Sequence, residues 1–216
     1  MKTNEAKTKR VFNLIIVDES GSMSIIRKQA FAGMNETLNT VRQMQEKFTD
    51  TDQKVTLITF DSTHMKWHYD NTPAKDTRAL RWNDYSPCAG TPLYDAMGAA
   101  ISKVNAQAGS DDNVLVTVIT DGWENASCEW TLPMIRQLIE KLKRQHWTFT
   151  LIGTDNLDVE QMAAGMCIDE HLEFHEDAAD TERMFARERR SRVRYNECVV
   201  ADACMPKGSF FEEREG

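Results

Sequence analysis

Apolar and polar positions alternate along this chain in two rhythms, one near two residues and one between three and four, and each change of rhythm marks an element. Val11 to Val17 is a short run rich in β-branched residues between polar segments, which predicts a buried strand. Beyond it Ala30, Met34, Leu38, Val41, Met44 and Phe48 recur at steps of three and four, the signature of one face of a long amphipathic helix. Lys54 to Phe60 reads as a second strand, and His64 to Tyr69 returns beside it as a third after the turn-forming Asp61-Ser62-Thr63. From Asp70 to Gly90 the rhythm fades into a segment carrying Asn71, Pro73, Asn83 and Pro87, expected to be mostly loop with a short helix near Thr77 to Trp82. Thr91 to Asn105 predicts a helix with Leu93, Met97, Ala100, Ile101 and Val104 on one face. Val114 to Thr120 is apolar or β-branched nearly throughout, as a central strand covered on both faces must be. A helix over Leu132 to Gln145, a strand from Trp147 to Ile152 ending at Gly153, a short helix from Asp158 to Ala164, a strand near Glu170 to Phe174 and a helix from Asp180 to about Arg192 complete the series.

Strands alternating with helices predict an α/β fold of three layers, doubly wound, with a mainly parallel central sheet, one antiparallel edge strand and helices on both faces. In such a fold the ligand site lies at the carboxyl ends of the strands, where strand order reverses. The 216 residues suit one domain with extensions. We expect a polar segment over residues 1–10, the domain over 11–194 and an arm over 195–216, the last because the rhythm is lost after Arg194.

Hydrophobic residues at 41% and charged residues at 28% are ordinary globular values and set aside disordered or fibrous classes. The basic, polar start and the short apolar run that Asp18 interrupts argue against a signal peptide and a membrane span. The five cysteines, Cys88, Cys128, Cys167, Cys198 and Cys204, are odd in number and form no CxxC pair, so a reducing cytoplasm is expected. A net charge of −8 repels phosphate backbones, so nucleic acid is not an expected partner.

The chemistry gathers at strand ends. Asp18-Glu19-Ser20-Gly21-Ser22 follows the first apolar run, Gly90-Thr91-Pro92-Leu93 opens a helix, and Thr120-Asp121-Gly122 follows the central strand. Asp18, Ser20, Ser22, Thr91 and Asp121 together offer two carboxylates and three hydroxyls. That inventory suits magnesium, a small hard ion usually held by one or two carboxylates with neutral oxygens. Taken singly, each residue has a plainer reading: Ser22 or Thr91 as a helix N-cap, Pro92 as a first helical residue, Asp121-Gly122 as a turn. Their order on the right elements is what points to a metal.

The three motifs together resemble the metal-ion-dependent adhesion site of von Willebrand factor A domains, and the likeness runs in order of elements from Val11 to Arg192. The resemblance implies that Ser20, Ser22 and Thr91 coordinate Mg²⁺ or Mn²⁺ through hydroxyls, with Asp18 and Asp121 acting through water or hydrogen bonds. It further implies a non-enzymatic protein-interaction module, bacterial-like and stand-alone, whose metal receives an Asp or Glu carboxylate from a protein partner. Intracellular members commonly work beside AAA-type ATPases. Glu19, Trp123 and Tyr94 are expected at the rim, with Glu19 facing outward; Tyr85, Cys88 and Tyr94 either line the rim or take core or loop roles, and Trp123 is either an exposed anchor or packed beneath its loop.

Two other functions compete. A magnesium-dependent phosphatase or phosphotransferase would use Asp18 as nucleophile, but Ser20 stands where a second carboxylate is wanted. A structural domain with an idle metal site is the third. His171, Glu173 and His175 share one side of a strand, either as a second metal site or, better, as surface residues. The arginines at 183, 187, 189, 190, 192 and 194 read either as a surface for an acidic partner or, better, as a solvated helix face partly balanced by Glu182 and Glu188. Phe210-Phe211-Glu212-Glu213 offers a neighbour's metal site an apolar anchor followed by carboxylates.

Overall fold

A computed structural model describes residues 8–203 and 205–212; the start of the polar segment, Cys204 and the carboxylates beyond Glu212 lie outside them. The described residues form β1 (Lys9–Asp18), α1 (Arg27–Lys47), β2 (Thr51–Phe60), β3 (Met65–Pro73), α2 (Leu93–Gln107), β4 (Asn113–Thr120), α3 (Leu132–Leu142), β5 (Trp147–Thr154), α4 (Val159–Met166), β6 (Glu170–Phe174) and α5 (Ala178–Val200). One sheet holds the strands in the order β3-β2-β1-β4-β5-β6, parallel except for β3 at the edge. The predicted fold class is the observed one.

β1 shows why the central strands are mostly apolar. Phe12, Leu14 and Ile16 point into one core with Leu93, Met97 and Val104 of α2, Ile135 and Ile139 of α3 and Met162 of α4. Val11, Ile15 and Val17 point into the other with Met34, Leu38 and Val41 of α1 and Met184, Phe185 and Val199 of α5. A strand covered on both faces has no place for a solvated side chain. On the α2 face, close approach depends on Gly98, because a Cβ there would stand 2.0 Å from the Trp130 indole.

Several boundaries differ from the sequence pattern. β1 begins at Lys9, whose ammonium donates to the carbonyls of Val199 and Val200 at 2.8 and 3.1 Å and so closes the end of α5. The 70–90 segment gives β3 its last residues and then two short 3₁₀ turns, Ala74–Asp76 and Trp82–Asp84, in place of a helix over 77–82. α5 continues to Val200, past the expected end at Arg192, because that residue is not on a solvated face. Arg192 is fully buried and donates to Glu188 Oε1 at 2.6 and 2.8 Å, Asn13 Oδ1 at 2.7 Å and Thr117 Oγ1 at 2.9 Å. Nor, among the described residues, is the stretch after Arg194 a free arm. Phe210 and Phe211 are buried in the α1–α5 core, their carbonyls held by Arg194 at 2.6 Å and Arg187 at 2.6 and 2.9 Å.

Candidate metal-binding site

β1 and β4 lie side by side where strand order reverses, so the residues at their carboxyl ends meet. Asp18 closes β1 and is fully buried. Its Oδ1 accepts the Ser20 amide at 2.7 Å, its Oδ2 the Thr120 hydroxyl at 2.6 Å, and its carbonyl the Tyr85 hydroxyl at 2.8 Å. Burial pushes the Asp18 carboxyl above the ordinary carboxylate range, and the bonds from Thr120 and Ser20 oppose the rise. Across the strand gap, Asp121 Oδ1 accepts the Ser22 hydroxyl at 2.7 Å, and Ser22 Oγ lies 3.2 Å from Ser20 Oγ. Asp121 Oδ2 is buried with no hydrogen-bond partner among the described residues. Burial foremost, with the charge of Asp18 adding to it against the Ser22 bond, pushes Asp121 up to about 7.

Thr91 joins from the loop before α2. A Cβ on Gly122 would stand 3.1 Å from Thr91 Oγ1, 3.7 Å from Ser22 Oγ and 3.8 Å from Asp18 Oδ2. Oxygens from the first two motifs therefore meet at a point that the glycine of the third leaves open. Neither Ser22 nor Thr91 caps a helix. Gly21–Ser24 is a 3₁₀ turn, α1 starts at Arg27 and not directly after Ser22, and the Ser22 hydroxyl goes to Asp121. α2 starts at Leu93, with Pro92 in the N-cap position and no side-chain cap there.

The residues fit a divalent cation. The donor set is all oxygen, two carboxylates with three hydroxyls, as a small hard ion requires. A buried, unpartnered carboxylate oxygen and a carboxyl held up to about 7 mark a place where negative charge lacks compensation. Sequence reasoning missed Thr120, the last residue of β4, which fixes Asp18; only its place one residue before Asp121 could have pointed to it.

The rim needs correction at Glu19. That residue does not face outward: it is fully buried, with Oε1 accepting Lys66 Nζ at 2.7 Å and the Ser86 amide. Pairing of β1 with β2 runs through Asp18 opposite Phe60, and the Glu19 amide continues it to the Phe60 carbonyl at 2.7 Å, turning the side chain inward. Tyr85 takes the core role that the sequence left open, and Tyr94 is half-buried. Cys88 is exposed, its thiol directed to Asp61 Oδ2 at 3.4 Å. Trp123 is 48% exposed, and Ile25, three residues after Ser22 and not anticipated, is 68% exposed. His171, Glu173 and His175 are exposed, and among the described residues no three or more of His, Cys, Asp and Glu form a group able to hold a metal. His175 pairs instead with Asp155 at 2.6 Å, which raises its imidazole above the ordinary range.

A doubly wound sheet with an oxygen cluster at its switch point defines a class of α/β binding domain. The sequence model of the von Willebrand factor type A domain matches residues 14–187, and the chain belongs to that family. No curated protein matches the sequence. Among solved structures, proximal thread matrix protein 1 from the mussel byssus superposes with a TM-score of 0.61 at 14% identity, over 92% of this chain and 47% of that one. This chain thus spans about half the length of that relative. The vWF domain of the type V pili tip protein Mfa5 from Porphyromonas gingivalis gives 0.60 at 12% identity, over 93% of this chain and 98% of that one. The SpRpn10 VWA domain gives 0.57 at 10% identity, over 83% and 94% respectively. At these identities the likeness is one of fold.

Proposed function

We propose that the chain is a metal-dependent protein-interaction module in which Asp18, Ser20, Ser22, Thr91 and Asp121 hold Mg²⁺ or Mn²⁺ and a protein partner contributes an Asp or Glu carboxylate. The observation that carries this reading is the buried, unpartnered Asp121 Oδ2 beside hydroxyls that serve no helix as caps. When bound, the cation supplies a positive charge that neutral hydroxyls compensate only in part, leaving it attractive to an incoming carboxylate. Asp18 holds the frame, since both of its oxygens already accept hydrogen bonds from Ser20 and Thr120. The same engagement disfavours Asp18 as a phosphatase nucleophile, and we propose no catalysis.

Ile25 and Trp123 extend apolar surface beside the polar centre, so the fitting partner segment carries an apolar side chain next to its carboxylate. The chain's own Phe210 and Phe211 do not serve, because both are buried in its core. Mfa5 belongs to a pilus tip, a setting that supports an interaction role. An AAA-type ATPase system is one candidate source of the partner. The cytoplasmic placement rests on free thiols at Cys88, Cys128, Cys167 and Cys198, and no described helix is long and apolar enough to cross a membrane.

The test is titration calorimetry of Mg²⁺ and Mn²⁺ into chelator-stripped protein, with S20A/S22A as control, followed by a pull-down with metal or chelator. We expect saturable binding to the wild type, lost in the double variant, and a metal-dependent co-purifying protein. A wild type that binds neither ion would leave a structural domain with an idle site.

A further inference from the structure

The first turn of a helix leaves amides without intrahelical acceptors, and the N-cap side chain would ordinarily supply one. Pro92, in that position, has no side-chain acceptor to offer. The acceptors come from the loop that follows Asp121. Glu124 Oε2 accepts the Tyr94 amide at 3.0 Å and Ser127 Oγ accepts the Asp95 amide at 3.0 Å. Asp95 reaches back the other way, accepting the amides of Cys128 at 2.7 Å, Glu129 at 2.9 Å and Trp130 at 2.6 Å. Asn125 grips Thr91 itself: the Thr91 amide donates to Asn125 Oδ1 at 2.9 Å, and the Asn125 amide donates to the Thr91 carbonyl at 3.1 Å. Glu124 is braced in turn, with Oε1 accepting the amides of Ala126 at 2.8 Å and Ser127 at 2.7 Å.

From this exchange of caps we infer that Glu124, Asn125 and Asp95 are positioning residues, which cap α2 from outside in place of Pro92, tie down the Thr91 backbone, and join the Thr91 and Asp121 loops into one rigid jaw. The inference rests on the metal-site reading and adds to it how Thr91 is kept in place. Two ligands distant in sequence then move as one body, so the site is assembled before any ion or partner arrives. A jaw set in advance loses little conformational entropy on binding, and the cost of releasing it falls on metal affinity.

The experiment pairs amide hydrogen exchange by NMR in chelator with Mn²⁺ calorimetry, on the wild type, N125A, N125D and E124A. The distant core variant L142A controls for lost stability. We expect faster exchange at Thr91 in N125A and at Tyr94 in E124A, with Mn²⁺ affinity about tenfold lower in each. N125D keeps the acceptor and should restore both protection and affinity, while L142A should keep its affinity despite melting earlier. Wild-type affinity in N125A and E124A would overturn the inference and leave the metal reading standing. If the wild type binds no Mn²⁺, the metal reading falls; the exchange data then decide the jaw alone, supported by faster exchange at Thr91 in N125A and overturned by unchanged exchange.

Discussion

At the scale of single residues, Gly122 is the position on which the cluster turns. Its backbone is not left-handed, so alanine can adopt it, yet the added methyl would sit 3.1 Å from Thr91 Oγ1 and within 3.8 Å of Asp18 Oδ2. Crowding of a packed space by one methyl costs roughly 1–3 kcal/mol, which placed on the bound state is about a five- to 150-fold loss of affinity. G122A should therefore bind Mg²⁺ and Mn²⁺ at least about fivefold more weakly than the wild type. The contact with Thr91 Oγ1 belongs to the protein itself, so G122A should also melt earlier in chelator. Equal affinity would mean that the ion sits elsewhere. The five candidate ligands were legible because each lies in a short contiguous motif, four of them at the ends of β1 and β4, where the fold class alone says a ligand site forms, and Thr91 just before a helix. Glu19 was misread for a related reason. Its neighbours in sequence are site residues, but its fate is set by Lys66 and Ser86, which only β3 and the 85–88 loop bring to it.

At the scale of elements, α5 is held to the sheet by polar chemistry inside an apolar layer. Arg192 reaches Thr117 on β4 and Asn13 on β1, 75 and 179 residues away along the chain. Asn13 Nδ2 donates onward to Gln53 Oε1 at 3.1 Å, and Gln53 Nε2 donates to Asn196 of α5 at 2.7 Å. A sequence window sees only Glu188, Arg192 and Asn196 breaking the apolar rhythm, so the helix was read as solvated and ended too early. The strands were legible to within a few residues because their burial is local and continuous. Removing one partner from a buried ion pair is expensive, since the other stays behind without compensation. R192M, which strands the Glu188 carboxylate, should lower stability by about 3–5 kcal/mol in urea unfolding. E188L/R192M removes both charges and should recover most of that loss. If the double variant is no better than R192M, the pair is not what holds α5 in place.

At the scale of the molecule, the proposed metal site and the segment over 205–212 occupy opposite ends of the strands. Asp18 and Asp121 lie at the carboxyl ends of β1 and β4, whereas Glu170, the first residue of β6, accepts the amides of Gly208 and Phe210 at 2.6 and 2.8 Å. Phe210 meets Phe211 edge-on at 4.9 Å and lies 6.3 Å from the Tyr195 ring, so this segment closes the α1–α5 core. A segment so placed stabilises the domain without touching the candidate ligands. Truncating a buried phenylalanine to alanine costs about 3–5 kcal/mol, the lost transfer of the ring together with the cavity it leaves. F210A should lower the unfolding free energy by that amount while its Mg²⁺ affinity, measured on the folded protein by calorimetry, stays at the wild-type value. Because destabilisation acts on the folded fraction and not on the geometry of the cluster, the two measurements should separate cleanly at low temperature. A fall in affinity in fully folded F210A would show instead that the two ends are mechanically coupled, with α5 and the β6–α5 connection as the path between them.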